Sequence, residues 1–325
     1  MSVASPVPSL GRPAGRSPFV SHDWEFAAVL GDAPRLAHVV AADAHEGPVY
    51  VPAEDALYFT SLPRQGGPPP GHPLVDIRRL ALSGRRFPLG RERITTVRFD
   101  ADVANGMALD REGDLVVCEQ GTRWRRAAIT RGGRPLATNW NGLPFNSPND
   151  VVVKSDGTIW FTDPSYGWLQ GFRPEPMVGD NVYRYDPADE SVAVVADSFD
   201  KPNGLCFSPD ECTLYVADNG MPHQLKAFDV VDGRRLVGER VIHVSTPLHP
   251  DGLKADDAGR IYATFRDGIE VLAPDGRLLG EIRIPGAVNF CFGTAERNVL
   301  FVTADDAIWA VELAATGPPP LPKGT

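Results

Sequence analysis

The chain is poor in cysteine, in long apolar runs and in positive charge. Its 325 residues hold four cysteines, none at C-x-x-C spacing, which predicts reduced, packed thiols and neither a disulfide framework nor a zinc motif. The longest apolar runs, such as 115–118, are strand-sized and far below the ~20 residues of a membrane helix. Acidic residues outnumber basic ones 42 to 32, and the resulting charge of −10 repels nucleic acid. Residues 1–18 lack the apolar stretch of a secretory signal, so we expect a cytoplasmic protein with no membrane or nucleic-acid partner.

Several catalytic signatures are also missing. The sequence contains no P-loop, no G-x-G-x-x-G after a strand, no H-E-x-x-H and no G-x-S-x-G. Nucleotide hydrolysis, dinucleotide binding, zinc proteolysis and serine-nucleophile chemistry therefore lose their usual support.

The chain instead has abundant turn residues and short strands. Its 32 glycines and 31 prolines are spread throughout, and they separate short β-branched and aromatic runs such as 158–162 and 213–216. Helical periodicity is scarce. This pattern predicts an all-β protein.

A motif occurs six times along the chain. Each copy starts with a polar residue, usually followed by glycine and an apolar stretch, and a second strand is centred 11 or 12 residues later. Successive copies start 38 to 59 residues apart, which matches the ~40–50 residues of a four-stranded propeller blade. We therefore predict a six-bladed β-propeller with four-stranded blades around a central axial channel. It would form one domain over residues 19–314, with tails at 1–18 and 315–325.

The last blade lacks an outer strand in its own sequence. A ring must close on itself to protect its edges, so a segment ahead of the first repeat should supply that strand. Residues 24–30 and 36–41 are the two candidates. The proline- and glycine-rich residues 63–73 predict a loop over one rim.

The polar starting positions are equivalent in the six repeats and should converge on the axis. Asn-Gly and Asp-Gly are also common turn pairs, so each position alone could be a turn signal. For the whole set, two carboxylates close together in a partly desolvated channel favour a cation between them. The six residues are Glu46, Asn105, Asn149, Asn203, Asp251 and Asn289.

The chemistry of these side chains favours a hard cation. Carboxylate and amide oxygens suit Ca²⁺ better than Zn²⁺, although Zn²⁺, Mg²⁺ or Mn²⁺ remain alternatives to a single Ca²⁺. Calcium takes 6–8 oxygens, so four protein ligands would leave positions open for water and substrate. Such a gap is typical of a catalytic site.

The motifs around these positions are similar to those of the senescence marker protein/gluconolactonase family of six-bladed propellers. They are Glu46-Gly-Pro, Asn146-Ser-Pro-Asn-Asp150, Lys201-Pro-Asn-Gly-Leu205 and Pro250-Asp-Gly-Leu253. The resemblance covers about residues 24–311. It implies metal-dependent lactone hydrolysis, commonly with calcium, and metal ligands at Glu46, Asn149, Asn203 and Asp251.

The resemblance also implies roles for single residues. Asp251 corresponds to the residue proposed as general base, with metal-bound water as the alternative nucleophile source. Asn105 and Asn289 would then line the substrate pocket, and Tyr166 and His223 lie in loops that could contact substrate. Asp163 and Asp218 end second strands and are interpreted mainly as turn residues.

The expected function is a metal-dependent lactonase, a carboxylic ester hydrolase that opens a small-molecule lactone to its hydroxy acid. Two alternatives remain open. One is phosphotriester hydrolysis, because a relative cleaves diisopropyl fluorophosphate. The other is a non-catalytic binding module whose axial metal is structural.

Overall fold

A computed structural model describes residues 17–66, 71–84, 86–245, 249–265 and 267–322. Short helices lie at α1 (Phe26–Leu30) and α2 (Tyr166–Leu169), and single 3₁₀ turns at Pro52–Glu54 and Arg91–Arg93. None of the helices in these ranges is long and apolar enough to cross a membrane. The strands are β1 (Phe19–Ser21), β2 (Arg35–Ala44), β3 (Val49–Val51), β4 (Ala56–Thr60), β5 (Arg64–Gln65), β6 (Pro73–Leu74), β7 (Ile77–Ala81), β8 (Ile94–Arg98), β9 (Ala104–Leu109), β10 (Leu115–Glu119), β11 (Ala128–Arg131), β12 (Arg134–Ala137), β13 (Asn139–Trp140), β14 (Leu143–Pro144), β15 (Val151–Val153), β16 (Ile159–Asp163), β17 (Asn181–Asp186), β18 (Ser191–Ala196), β19 (Pro202–Phe207), β20 (Thr213–Asp218), β21 (Gln224–Val231), β22 (Arg235–Val244), β23 (Leu253–Ala255), β24 (Ile261–Phe265), β25 (Gly268–Leu272), β26 (Leu278–Arg283), β27 (Asn289–Gly293), β28 (Val299–Thr303) and β29 (Asp305–Glu312).

Six antiparallel sheets form the blades of a propeller, as the repeats predict. In order from the innermost strand outwards, the first four blades are β3-β4-β7-β8, β9-β10-β11-β12, β15-β16-β17-β18 and β19-β20-β21-β22. Blade five is β23-β24-β25-β26, and blade six is β27-β28-β29 completed by β2. The six polar starting residues stand at or just before the six innermost strands. The predicted fold is confirmed.

The N-terminal part of the chain closes the ring. Strand β2 pairs antiparallel with β29, with Leu36 opposite Val311 and Val40 opposite Ile308. Of the two candidate segments, residues 36–41 are therefore the closing strand. The alternative, residues 24–30, is wrong because this segment contains α1, whose Phe26 and Val29 are three residues apart and buried in the core. Strand β1 adds a fifth strand to blade five, which the repeats do not predict.

The core lies between neighbouring blades. The second and third strands of each blade carry large buried side chains, and Leu57, Phe59 and Phe301, for example, share one cluster where blade six meets blade one. Three cysteines are buried as expected, but Cys212 is exposed. The expectation of packed thiols is wrong for Cys212 because this residue stands in the tight turn that joins β19 to β20, outside the inter-blade layers.

Candidate functional site

Five of the six polar starting residues line one cavity at the end of the axial channel where the innermost strands begin. The cavity has a volume of about 460 Å³. Their side chains are mostly withdrawn from solvent, with an exposed fraction of 5% for Glu46 and 6% for Asn203. The five residues are Glu46, Asn105, Asn149, Asn203 and Asp251.

The glycine that follows several of these residues is required by the narrowness of the ring. A Cβ atom at Gly106 would lie 2.6 Å from the carbonyl oxygen of Asn149 in the next blade. A Cβ atom at Gly204 would lie 2.2 Å from the carbonyl oxygen of Asp251. The same two glycines donate backbone hydrogen bonds to these carbonyls, at 2.7 Å and 3.1 Å. The Asn-Gly pairs therefore mark contacts between innermost strands rather than turns.

Threonines near the ends of second strands support the same region. The hydroxyl of Thr162 donates to the carbonyl oxygen of Asn203 at 2.8 Å, across a blade boundary. The hydroxyl of Thr303 donates to the carbonyl oxygen of Asn289 at 3.0 Å. These bonds fix the backbone from which the site side chains project.

The site concentrates negative charge in a buried place. Burial, and the charge of Glu46, raise the pKa of Asp251 well above its usual range. Burial also raises the pKa of Glu46, although His45 and a hydrogen bond from Asn289 oppose the shift. The amide nitrogen of Asn289 donates to Oε2 of Glu46 at 2.8 Å. In the described part of the chain neither carboxylate has a lysine or arginine partner, and the positive charge of His45 offsets their negative charge only in part.

The residues present fit a hard divalent cation. Oδ1 of Asp251 is buried and has no hydrogen-bond partner within the described ranges, which is costly for a carboxylate oxygen. The residues described contain no group of three or more histidine, cysteine, aspartate or glutamate side chains that could hold a metal. The expected ligand set would not form such a group, since two of its four members are asparagines. An all-oxygen donor set with two carboxylates is typical of Ca²⁺ rather than Zn²⁺.

His45 also lines the cavity, on the residue just before Glu46. Its Nδ1 lies 2.8 Å from Oδ1 of Asp305 in blade six. Burial alone would lower the pKa of His45, but the hydrogen bond to Asp305 and the charge of Glu46 raise it. The imidazole therefore supplies partial positive charge at the edge of the site.

Of the four residues expected to contact substrate, Asn105 and Tyr166 line the cavity, whereas Asn289 and His223 are not among its described lining residues. Tyr166 lines the cavity, and its hydroxyl oxygen lies 3.4 Å from the side-chain nitrogen of Asn203. Asn289 is not among the described lining residues and instead holds Glu46. His223 is also absent from those lining residues. Its Nδ1 lies 2.9 Å from the carbonyl oxygen of Asn219, and its ring packs on His249.

Sequence reasoning missed a second ring of cavity residues. Ser61, Gln120 and Asn219 each come directly after the second strand of a blade, and all three line the cavity. Their shared place in the repeat was a usable signal. The apolar wall of Val75, Val103 and Phe172 gave no such signal, because its members come from loops of different blades.

Asp163 and Arg173 form a buried support beneath the site. Both oxygens of Asp163 accept backbone hydrogen bonds, from Asn146 and Ser147, at 2.8 Å each. The guanidinium of Arg173 donates to the carbonyl oxygens of Asn146 at 2.7 Å, Phe145 at 2.8 Å and Thr122 at 2.8 Å. Asp163 therefore does more than terminate a strand, because with Arg173 it holds the loop that leads to Asn149.

Comparisons with known proteins agree with this geometry. The model of the SMP-30/Gluconolactonase/LRE-like region matches residues 44–306. A gluconolactonase of Zymomonas mobilis is 32% identical, over 86% of this chain and 82% of that protein. Lactonohydrolase oryL of Aspergillus oryzae is 29% identical, over 87% of this chain and 70% of that protein.

A solved structure is similar over almost its whole length. It is a gluconolactonase of Xanthomonas campestris, 33% identical, with a TM-score of 0.77, and the match covers 93% of this chain and 99% of that one. The matched family region contains all four expected ligand positions and five complete blades. The chain belongs to the SMP-30/gluconolactonase family.

Proposed function

We propose that the protein is a metal-dependent lactonase, with Ca²⁺ as the favoured ion. The observation that carries the proposal is the pair of buried carboxylates, Glu46 and Asp251, which face one axial cavity without a lysine or arginine partner in the described part of the chain. Oδ1 of Asp251 has no hydrogen-bond partner there. Relatives that are named lactonohydrolase and gluconolactonase support the reaction class.

Four residues would hold the ion: Glu46, Asn149, Asn203 and Asp251. A bound divalent cation supplies an electrophile that polarises the lactone carbonyl and stabilises the developing oxyanion. Asn289 keeps Glu46 in place through its 2.8 Å hydrogen bond. The two amides are fixed through their backbones by Gly106 and Thr162 of neighbouring strands.

The chain's own groups also handle substrate and protons. Asp251 accepts a proton from the attacking water through the carboxylate oxygen that the cation does not occupy, and the water oxygen bonds to the carbonyl carbon. The ring C–O bond then breaks, and the ring oxygen takes up the proton to give the hydroxy acid. Asn105 and Tyr166 offer neutral hydrogen-bonding groups to the rest of the lactone.

The test is hydrolysis of a panel of γ- and δ-lactones, with glucono-δ-lactone included, measured above the spontaneous rate by acid release. We expect turnover in Ca²⁺, loss in EDTA and recovery when Ca²⁺ is restored. Asp251→Asn should lower kcat at least 100-fold. The matched control is Asp32→Asn, at an exposed position, which should leave kcat unchanged.

The other outcomes discriminate between functions. Hydrolysis of diisopropyl fluorophosphate without lactone turnover would move the assignment to a phosphotriesterase. A folded protein that binds Ca²⁺ and hydrolyses nothing in the panel would contradict the enzymatic proposal.

A further inference from the structure

The C-terminal segment crosses the ring on the face opposite the candidate active site. Thr316 exchanges hydrogen bonds with Asp257, in the turn between the first two strands of blade five. Gly317 exchanges hydrogen bonds with Arg297 of blade six, through its nitrogen at 2.8 Å and its oxygen at 2.5 Å. At its other end, the carbonyl oxygen of Pro322 accepts a hydrogen bond from Arg111 of blade two at 3.2 Å. Residues 316–322, called the strap below, therefore span the mouth of the channel that is opposite the candidate active site. This end of the channel is called the lower end.

A cavity of about 560 Å³ lies between the strap and the lower ends of the innermost strands. This volume is within the range of small-molecule sites. Its wall is mainly apolar and includes two buried thiols. The apolar and thiol-bearing residues include Leu109, Val152, Cys206, Phe207, Cys291 and Phe292, with Pro318 to Pro320 of the strap.

One charged side chain in this wall has hydrogen-bonding capacity to spare. The ammonium of Lys254 lies 3.5 Å from Oδ2 of Asp150, and its side chain is 27% exposed. It makes no hydrogen bond within the described part of the chain, although an ammonium group can donate three.

The carboxylates in the wall are already partnered. Asp256 lies 2.6 Å from Arg260, Glu211 lies 2.9 Å from Lys154, and Asp210 accepts the hydroxyl of Ser208 at 2.6 Å. Among the described lining residues, Lys254 is thus the charged side chain with unused hydrogen-bond donors.

We propose that this lower cavity is a second binding site, distinct from the lactonase site, for an apolar carboxylate of medium chain length. The carboxylate contacts Lys254, the alkyl chain lies along Leu109, Val152 and Phe292, and the strap covers it. The two thiols line the bound chain. The proposal does not rest on the lactonase reaction, because the cavity lies on the opposite face, although Lys254 is also paired with Asp150, the residue after Asn149.

The first test compares octanoate with 1-octanol by isothermal titration calorimetry on the full chain. Octanoate should bind saturably with one site per chain. Lys254→Met removes the charge but keeps a side chain of similar length. It should therefore lower the affinity for octanoate at least tenfold and change the affinity for octanol less than threefold. The absence of saturable octanoate binding to the folded protein, or equal octanoate affinity in Lys254→Met, would overturn the proposal.

The second test examines the strap. One variant ends after Thr316, and its matched control ends after Pro322. A second variant, Gly317→Val, keeps the length but places a Cβ 2.4 Å from Cβ of Phe292, so the strap must shift. Both strap variants should bind octanoate at least tenfold more weakly, whereas the control should match the full chain.

Alkylation of the two thiols locates the ligand. In a Cys212→Ser background, which removes the exposed thiol, N-ethylmaleimide should label Cys206 and Cys291 slowly, and octanoate should slow labelling further. The strap variants should be labelled at least tenfold faster. If octanoate binds without protecting the thiols, or if the folded strap variants are labelled as slowly as the full chain, the lower cavity is not the site.

Discussion

At the residue scale, the two buried carboxylates of the candidate site should destabilise the folded protein when no cation is bound. Burial raises the pKa of both Glu46 and Asp251, the charge of Glu46 adds to the shift at Asp251, and no lysine or arginine in the described part neutralises them. Removal of one charge should therefore stabilise the protein in the absence of divalent ions and weaken the proposed cation site.

The first prediction follows from this repulsion. In EDTA, Asp251→Asn and Glu46→Gln should each melt a few degrees above the unsubstituted protein. In Ca²⁺ the order should reverse, because only the unsubstituted protein gains binding free energy. Differential scanning calorimetry measures both conditions, with Asp32→Asn as the control. A lower melting temperature for both variants in EDTA would contradict the argument.

The second prediction concerns Asp163. Burial raises the pKa of Asp163 to about 7, although two backbone hydrogen bonds oppose the shift. The unfolded value is about 3.9, so the folded state binds an extra proton between these values. The stability from this proton is present below about pH 4 and is lost as the pH rises towards 7. At about 1.4 kcal/mol per pKa unit, the loss is at most about 4 kcal/mol.

Urea unfolding between pH 4 and pH 8 measures this effect. Asp163→Asn cannot titrate, so its free energy of unfolding should fall less steeply over the same interval. The amide also meets two N–H donors with only one oxygen, so the variant should be less stable throughout. Parallel slopes for the two proteins would show that Asp163 does not titrate in this range.

At the element scale, the innermost strands are packed too closely for side chains at certain positions. The third prediction is that Gly204→Ala costs about 3 kcal/mol, because its Cβ would lie 2.2 Å from the carbonyl oxygen of Asp251. Gly113→Ala is the control. It has a positive φ of 90° but no atom within 4 Å, so it should cost only about 1 kcal/mol.

The outcome separates contact from conformation. Gly204→Ala should also weaken the binding of Ca²⁺, measured by calorimetry, because it displaces the backbone of Asp251, a proposed ligand. Equal losses in the two alanine variants would remove the packing explanation.

The fourth prediction concerns the loops that Arg173 joins. Lysine cannot reproduce a fork that donates to the carbonyls of Thr122, Phe145 and Asn146, so Arg173→Lys should lose about 3 kcal/mol. Hydrogen exchange should rise in residues 122–126 and 145–149. Arg184→Lys is the control, because Arg184 is equally buried but pairs with a single carboxylate, that of Asp186 at 2.7 Å. Unchanged exchange in both loops would contradict the positioning role.

These elements show how far a single sequence leads. The first and second strands of every blade were predictable, because each repeat carries a polar start and an apolar second strand at constant spacing. The roles of Asp163 and Arg173 were not predictable, because their partners are backbone atoms of other loops. His223 was misleading for a related reason. Its loop is close to the cavity, but its ring points to Asn219 and His249.

At the scale of the whole molecule, the repeats predicted a closed ring but not which segment supplies the closing strand. Nothing in the local pattern distinguished residues 24–30 from 36–41, since both are apolar enough for an outer strand. The difference lies in the partner. Strand β29 offers an eight-residue edge that β2 matches, whereas α1 fits the corner between blades five and six.

The fifth prediction tests whether β2 closes the ring. A chain that starts at Arg35 keeps β2 but loses β1 and α1, so it should remain a cooperative propeller with a lower melting temperature. A chain that starts at His45 also loses β2, which exposes the edge of β29 and separates blade six from blade one. We expect this shorter chain to unfold without a single transition and to lose Ca²⁺ binding, because Asn289 of blade six would no longer be held beside Glu46 of blade one. Urea unfolding followed by circular dichroism and Ca²⁺ calorimetry distinguish the two chains. If the chain from His45 keeps both cooperative unfolding and Ca²⁺ affinity, inter-blade packing alone holds the ring together and closure by β2 is not required.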